Sequence, residues 1–455
     1  MSQSNTSPSA DPHLPPMAQL GDLSGPAAPT EIENAGLDEH VMLDQALKLA
    51  YTVPRLTTDW AADKLHLSLE LAGEVLDKLC QEALLYETMR TNQFRAHYRI
   101  TDQGREQAMR SREICGYIGP MPVSLESYNA MLRWQFENTA SVKPKHVTQA
   151  LSGLVLSEKA MQLAGLAASS GRSLFVYGPP GNGKTSLGRQ IHSALVGDCW
   201  VPYCVSVGSD IIRLFDAQLH QKVQLPGTAA ETFDGRWVRV RRPLVVVGGE
   251  LTLEMLDLVY NPTVRYYEAP PHLKANGGVF LIDDFGRERI SPIALLNRFI
   301  TPMEHQMDYF TLTTGQHIQM PLRHVLIIAT NLEPESVTDP AFLRRMGYRV
   351  YLGPPNEEQY AKIFRAYAEG KGVDVSQEVL DGLLQRYQAE GRELRGCEPR
   401  DLIERASDIC RFAGKSLRLT PKVLGLAWDG YFGTEGAAVK ESDVAAADLG
   451  DLGEA

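Results

Sequence analysis

The clearest motif of the chain is Phe175-Val-Tyr-Gly-Pro-Pro-Gly-Asn-Gly-Lys-Thr-Ser186. The apolar run from Leu174 to Tyr177 predicts a buried strand, and the residues from Ser186 to Leu195 predict a helix. Between them lies the pattern G-x-x-x-x-G-K-T, which is typical of a loop that binds phosphate groups. We therefore predict an α/β fold with a nucleotide held at this turn.

The residue types of this loop suit the chemistry. Glycines let backbone N–H groups turn inward without a Cβ in the way, and the following helix begins with partial positive charge. Lys184 is expected to reach the β- and γ-phosphates of ATP, and the Thr185 hydroxyl to ligate Mg²⁺. The alternative is a chance glycine turn, which the flanking strand and helix disfavour. The predicted nucleotide-binding residues of the loop are Gly178, Pro179, Pro180, Gly181, Asn182, Gly183, Lys184, Thr185 and Ser186.

Two further apolar runs end in polar side chains. Gly277-Gly-Val-Phe-Leu-Ile-Asp-Asp-Phe285 predicts a strand with two acids at its carboxyl end. We expect Asp283 to hold Mg²⁺ and Asp284 to polarise the attacking water. The run Val325-Leu-Ile-Ile-Ala-Thr-Asn331 predicts a neighbouring strand, so Asn331 can bond the γ-phosphate or the water. Turn or capping aspartates are the alternative for the acidic pair.

Composition limits the class of protein. A chain of 455 residues predicts two to four domains, and a net charge of −11 does not favour wholesale binding to nucleic acid or anionic membranes. The six cysteines form no C-x-x-C pair, which indicates reduced thiols. We see neither a signal peptide nor an apolar run long enough to span a bilayer. The sequence thus predicts a soluble cytoplasmic protein without membrane insertion.

The amino-terminal third is predicted to contain two parts. Residues 1–36 are rich in Ser, Pro and Ala, so we expect them to be disordered. Residues 38–112 show three amphipathic helical runs, two alternating strands and a last helix, an order that predicts a winged helix-turn-helix domain. Residues 113–150 read as a proline-containing linker and a helix.

A winged helix can bind DNA or protein. The presumed recognition helix carries Glu70, Glu74, Asp77 and Gln81 at helical spacing, and acidic side chains would repel phosphates. The wing is more basic, with Arg90, Arg95, His97 and Arg99. We therefore favour a protein client or adaptor as the partner of this domain over DNA.

The segment after the phosphate-binding loop contains more than a simple crossover. Trp200–Val207 is predicted to be one buried strand, and Arg236–Arg242 with Leu244–Val247 a hairpin. The arginines at 236, 239, 241 and 242 could bind an acidic partner or nucleic acid. Alternatively, their charge could keep an edge strand from pairing with another chain.

Several elements are predicted nearer the carboxyl end. Tyr309–Met320 reads as a hairpin turning at Thr314-Gly315, and Arg344 and Arg345 are adjacent near a helix end. Residues 354–432 predict a helical lid, in which Arg400 lies near the start of a helix. Residues 433–455 predict a disordered acidic tail.

In this order the motifs resemble those of the AAA+ ATPase family over roughly 151–431. The hairpin before Asn331 resembles the branch with MoxR-type ATPases, magnesium chelatase subunits and Lon- or ClpX-like unfoldases. The resemblance implies a P-loop NTPase parallel sheet over 151–353, followed by the helical lid. It also implies a sensor role for Asn331, a γ-phosphate contact for Arg400, and an arginine finger at Arg345 or Arg344, with Arg349 a further candidate.

The resemblance further implies a homo-oligomeric ring, usually a hexamer, that hydrolyses ATP with Mg²⁺ between subunits and remodels a protein client. A DNA-binding regulator or nucleic-acid machine is the alternative. The chain departs from the family at Asp284, where Glu is usual. The shorter carboxylate implies slow hydrolysis, or a loop geometry that compensates.

Overall fold

The structure is a computed structural model that describes residues 11–92, 95–227, 229–287, 291–337 and 340–433. The predicted acidic tail, apart from Gly433, lies outside these residues, as do residues 1–10.

The amino-terminal part begins with a short hairpin and continues with helices around a three-stranded sheet of order β3-β5-β4. A 3₁₀ turn at Ile32–Asn34 precedes the first helix. The elements are β1 (Met17–Leu20), β2 (Leu23–Pro26), α1 (Glu39–Ala50), β3 (Leu56–Thr57), α2 (Thr58–Leu65), α3 (Leu69–Gln81), β4 (Leu85–Asn92), β5 (Arg95–Ile100) and α4 (Asp102–Ile114).

The middle and carboxyl-terminal parts mix strands and helices and then become wholly helical. The middle elements are β6 (Val123–Ser124), α5 (Leu125–Asn138), α6 (Pro144–Leu151), α7 (Glu158–Ser170), β7 (Leu174–Tyr177), α8 (Lys184–Ala194), β8 (Asp198–Pro202), β9 (Cys204–Val207), β10 (Asp210–Arg213), α9 (Ala229–Thr232), β11 (Trp237–Arg241), β12 (Leu244–Val247), β13 (Val259–Asn261), β14 (Tyr266–Glu268), α10 (Pro271–Lys274), β15 (Val279–Ile282), α11 (Pro292–His305), β16 (Met307–Thr311), β17 (His317–Pro321), β18 (Val325–Thr330), α12 (Pro334–Val337), α13 (Pro340–Arg345) and β19 (Tyr348–Tyr351). The last helices are α14 (Glu357–Gly370), α15 (Gln377–Ala389), α16 (Glu398–Phe412) and α17 (Pro421–Phe432).

A five-stranded parallel sheet of order β12-β15-β18-β7-β19 forms the centre of the fold. Its inner strands are almost continuously apolar because helices cover the faces of a parallel sheet. The side chains of α7 and α8 pack on β7, β15 and β18 in one core. Parallel strands share a direction, so the carboxyl ends of β7, β15 and β18 meet at one edge. This confirms the predicted α/β class and positions the site.

A second body, rich in antiparallel strands, is formed by segments that precede this sheet or connect its strands. It comprises the sheet β13-β14-β10-β9-β6, the pair β11-β8 and the hairpin β16-β17. Their apolar side chains share one core with α5. The predicted hairpin around Thr314-Gly315 is confirmed, with Tyr309 paired to Gln319.

The expectation of disorder over residues 1–36 is wrong for residues 11–36. The hairpin β1-β2 packs on the second body, and a Cβ at Gly25 would lie 2.5 Å from Cζ2 of Trp200. The Trp200 indole also donates to the Ser24 carbonyl over 3.0 Å. The small residues of this segment suggest disorder by their composition. In the structure they instead allow the backbone to pack directly against the Trp200 ring.

Two strand predictions in the inserted region are also wrong. The run Trp200–Val207 divides at Tyr203 into β8 and β9, which belong to different sheets. β11 pairs with β8 and β12 joins β15 in the central sheet, so the predicted 236–247 hairpin does not form. Tertiary pairing partners decide these strands, and local alternation does not reveal them.

Most of the four arginines on and beside β11 bind groups of their own chain. Arg236 is 3% exposed and its guanidinium pairs with Asp234 at 2.8 Å. Arg239 pairs with Asp198 at 2.7 Å. Arg242 donates to the carbonyls of Val196 and Gly277 and so fixes the passage from β11 to β12. Only Arg241 of the four is exposed.

Candidate functional site

The phosphate-binding loop lies between β7 and α8, as the sequence predicts. Gly178, Gly181 and Gly183 have φ values of 135°, 82° and 84°, a region that favours glycine. α8 begins at Lys184, so its first free N–H groups face the loop. Within the loop Pro180 and Ser186 are exposed. The loop thus has the backbone form of an anion-binding nest.

Lys184 lies folded along this loop and is 7% exposed. Its Nζ donates to the carbonyls of Gly178 at 2.9 Å and Pro179 at 2.8 Å. Burial lowers the pKa of Lys184, and the charges of Asp284 and Asp283 oppose that shift. A lysine with two acids nearby is placed to share its charge between them and a phosphate group.

Thr185 and Asp283 meet across the gap between α8 and β15. The Thr185 hydroxyl donates to Oδ1 of Asp283 over 2.8 Å. Asp283 follows the end of β15, and its N–H donates to the Val247 carbonyl. A hydroxyl and a carboxylate are oxygen donors of the kind Mg²⁺ takes, with phosphate and water oxygens completing the set. These residues therefore fit the ion that the sequence predicts.

A Mg²⁺ ion at this site would take part of its ligands from the phosphate oxygens of a bound nucleotide. Within the described ranges, no group of three or more His, Cys, Asp or Glu side chains is placed to hold a metal ion.

Asp284 has a left-handed backbone, with φ of 51°. Its Oδ1 accepts from Nδ2 of Asn331 at 3.3 Å, and Arg287 lies 3.8 Å from Oδ2. Asp and Asn tolerate this conformation better than longer side chains do. The backbone thus gives a physical reason for Asp, and not the longer Glu, at this position.

Asn331 is fixed by the residue before it. The Thr330 hydroxyl is fully buried, donates to the Phe285 carbonyl at 2.6 Å and accepts from Leu332 N at 3.1 Å. These bonds hold the tips of β15 and β18 together. The structure therefore brings Lys184, Thr185, Asp283, Asp284 and Asn331 to one edge of the sheet.

Arg344 and Arg345 lie at the opposite edge. They end α13, which leads into β19, and Tyr348 at the start of β19 pairs with Leu174 at the start of β7. The phosphate-binding loop follows the other end of β7. Arg345 donates to Oε2 of Glu304 at 3.2 Å. The sheet therefore separates both arginines from the loop of their own chain.

Arg400 lies in the first turn of α16, where its guanidinium bonds Asp401 at 2.9 Å and its side chain is 60% exposed. The lid instead meets the loop through two residues that sequence reasoning missed. Gly396 N donates to Oδ1 of Asn182 at 3.2 Å, and a Cβ at Gly181 would lie 2.6 Å from Sγ of Cys397. No sequence pattern links these positions, which lie more than 200 residues apart along the chain.

Comparison with known proteins gives partial matches. A family model described as a domain of unknown function (DUF8689) matches residues 356–430. The ATP-dependent zinc metalloprotease FtsH of Rhodococcus erythropolis is 25% identical over 233 residues, 49% of this chain and 20% of that protein. FtsH 2 of Symbiobacterium thermophilum is 26% identical over 216 residues, 45% of this chain and 27% of that protein. The chain thus spans about a fifth to a quarter of these relatives' length.

A crystal structure of NtrX from Brucella abortus in complex with ADP has a TM-score of 0.39 and 17% identity, covering 67% of this chain and 62% of that one. This likeness is too loose to bear on function.

The strand order and the loop define a P-loop nucleotide-binding fold. Over about half of its length the chain is also similar to proteins named as ATP-dependent FtsH metalloproteases. Among the described helices, none combines the length and apolarity needed to cross a membrane.

Proposed function

We propose that this chain hydrolyses ATP in a homo-oligomeric ring, usually of six copies, and uses the cycle to remodel a protein client. The observation that carries the proposal is the separation of the two halves of the site. Thr185 and Asp283 lie at one edge of the sheet and Arg344 and Arg345 at the other. A second copy is needed to bring either of these two arginines to the phosphates.

In this reaction the chain's own residues bind, orient and polarise. Lys184 leaves its loop carbonyls to contact the β- and γ-phosphates, while Thr185 and Asp283 hold Mg²⁺. The ion, when bound, neutralises charge on the phosphate oxygens. Asp284 accepts a hydrogen bond from the attacking water, and Asn331 fixes that carboxylate and the water. Arg400 turns from Asp401 to the γ-phosphate when the lid closes.

The neighbouring copy supplies the finger, with Arg345 as the first candidate and Arg344 as the second. A positive charge delivered across an interface is worth 10³ to 10⁵ in rate for related phosphoryl transfers. Turnover thereby depends on how two copies sit together, which couples hydrolysis to movement. The hairpin β16-β17 ahead of β18 supports the MoxR-like branch.

We propose that residues 38–112 form a winged-helix module that docks protein. Its α3 is occupied on one side by the amino-terminal segment, because Ile32 N donates to Glu74 at 2.9 Å and Ser68 donates to the Pro29 carbonyl. Asp77 is paired with Arg90 at 2.8 Å. The helix that would enter a DNA groove is therefore partly covered within this chain.

DNA binding remains the second candidate because of one observation. The strands β4 and β5 form an exposed wing on which Arg95 and Arg99 are open to solvent. A gel shift of the full chain across a salt series separates the candidates. Tight binding at moderate salt that is lost in Arg99→Gln would favour DNA over a protein client.

The ring itself is tested by imaging the protein with a slowly hydrolysed ATP analogue and Mg²⁺. We expect closed rings with nucleotide between copies. A lone subunit that turns over ATP at full speed under saturating Mg·ATP would overturn the proposal.

A further inference from the structure

A cavity of about 440 Å³ lies at the amino edge of the central sheet. Its walls come from the starts of β7 and β18, from α11 and from the end of α13. Four arginines line it: Arg172, Arg323, Arg344 and Arg345. No acidic residue is among the lining residues, although the whole chain has a net charge of −11. A basic cavity in an acidic protein calls for a partner of opposite charge.

The lining charges are poorly compensated. Arg345 pairs with Glu304, whereas Arg172, Arg323 and Arg344 form no ion pair with a carboxylate in the part of the chain that the structure describes. At longer range Arg133 and Glu137 act on Arg323 with opposite signs. Like charges gathered round one cavity repel each other unless an anion lies between them.

Two lining residues also carry buried donors or acceptors without a partner. The Nε of Arg323 and the Nδ1 of His324 are buried and make no hydrogen bond. Arg323 is held in place by Gln306 and lies over the Phe136 ring, 5.3 Å from its centroid. A buried N–H left unbonded is costly, so an anion that draws the Arg323 guanidinium into contact with its oxygens would stabilise that side chain.

We infer that this cavity binds a phosphate group, with Arg172 and Arg323 as donors beside the α13 arginines. A guanidinium binds oxyanions through two parallel N–H bonds. A carboxylate has two oxygens and one negative charge, so a single guanidinium group is enough to bind it. Several guanidinium groups match a multiply charged anion with more oxygens, which a phosphate or pyrophosphate provides.

The phosphate has two sources. One is a free phosphate-bearing anion bound within the same subunit. The other is the nucleotide held by a neighbouring copy, and this source rests on the proposed ring. Both place phosphate oxygens against the same guanidinium groups, so the inference itself needs only the cavity.

The probe for the first source is inorganic pyrophosphate, titrated calorimetrically into the full chain carrying Lys184→Ala, which disables the phosphate-binding loop. We expect saturable binding that weakens about tenfold or more in Arg172→Gln or Arg323→Gln. Arg241→Gln removes an exposed arginine on β11 and is the matched control, with unchanged binding. Melting temperatures identify variants that fail to fold, and Arg172 offers a second position should Arg323→Gln misfold.

The second source is tested by ATP turnover in mixtures. Arg172→Gln or Arg323→Gln copies would lose turnover and regain it when mixed with Lys184→Ala copies, which supply intact arginines to the neighbour. The inference is overturned if folded Arg172→Gln and Arg323→Gln variants leave both pyrophosphate binding and ATP turnover unchanged. If the unaltered chain forms no ring with Mg²⁺ and a slowly hydrolysed ATP analogue, the proposed function is refuted, whereas saturable pyrophosphate binding by the Lys184→Ala chain still supports the inference.

Discussion

Asn331 donates from Nδ2 to Oδ1 of Asp284 over 3.3 Å, joining the tips of two adjacent strands of the central sheet. The amide thereby orients the carboxylate that we propose as the water-polarising group. Asp284 also has a φ of 51°, so the local backbone and a side chain from the neighbouring strand together set its position.

Asp284→Asn is expected to bind ATP normally and to lose about 10²- to 10⁴-fold in turnover, because an amide cannot accept a proton. Asn tolerates the left-handed backbone, so the melting temperature should stay unchanged. Steady-state hydrolysis and nucleotide-binding assays check both expectations. Normal hydrolysis by this variant would assign the role to another group. Asp284→Ala serves as a contrast, since it adds backbone strain of about 1 kcal/mol.

Lys184→Ala is expected to weaken ATP binding roughly 10- to 100-fold, because it removes a charge-assisted bond to the phosphates. Fluorescence titration with a labelled ATP measures the change. Lys64, an exposed lysine on α2 in the amino-terminal part of the chain, provides the control Lys64→Ala. Equal affinity in both variants would show that the loop lysine does not contact the nucleotide.

Of the two variants Arg345→Ala and Arg344→Ala, the one that removes the arginine finger should lower ATP turnover by about 10³-fold or more. ATP binding should be retained in both. Mixing the inactive variant with Lys184→Ala copies should restore part of the rate, since each supplies what the other lacks. ATP hydrolysis as a function of mixing ratio is the measurement. If mixtures show only the sum of the separate rates, the arginine does not act across an interface.

Gly25→Ala is expected to destabilise the protein by about 1–3 kcal/mol, because the added Cβ would overlap the Trp200 ring. Thermal unfolding measures the effect. Gly153→Ala is the matched control, since a Cβ there meets nothing within 4 Å. A melting temperature that is unaffected by Gly25→Ala would mean that the amino-terminal hairpin does not pack on Trp200.

Stability should fall as the pH drops from 7 to 5. Burial lowers the pKa of His324 from 6.5 to about 3. Below pH 6.5 this side chain is therefore protonated in the unfolded chain but stays neutral in the folded chain, which favours unfolding. This linkage amounts to about 2 kcal/mol at pH 5. Unfolding midpoints across this range, compared with His324→Leu, test it. An equal pH dependence in the variant would exclude His324 as the cause.

The local motifs could be predicted because the residues that form each of them are adjacent in the sequence. The strand, glycine loop and helix around Lys184 occupy one short stretch, and a strand ending in Asp283 needs only an apolar run followed by an acid. The four carboxyl-terminal helices show the same locality, down to the Thr420 cap. In each case neighbours in sequence determine the conformation.

The pairing partners of inserted strands could not be predicted in this way. β8 and β9 look like one strand, and the hairpin β1-β2 packs on Trp200, which lies 176 residues from its bonding partner Ser24. Arg236 reads as a surface charge but is buried beside Asp234. Such contacts bring distant segments together, and a single sequence carries no local signal for them.

The phosphate-binding loop, the acidic strand end and the α/β class are already written in the chain, because backbone freedom, apolar periodicity and charge act over a few residues. Long-range packing, in contrast, places Arg344 and Arg345 across the sheet from Lys184, brings Gly396 to Asn182, and gathers Arg172 and Arg323 around one cavity. These distances follow from strand order and helix packing, and both arise from burial of apolar surface summed over the whole chain.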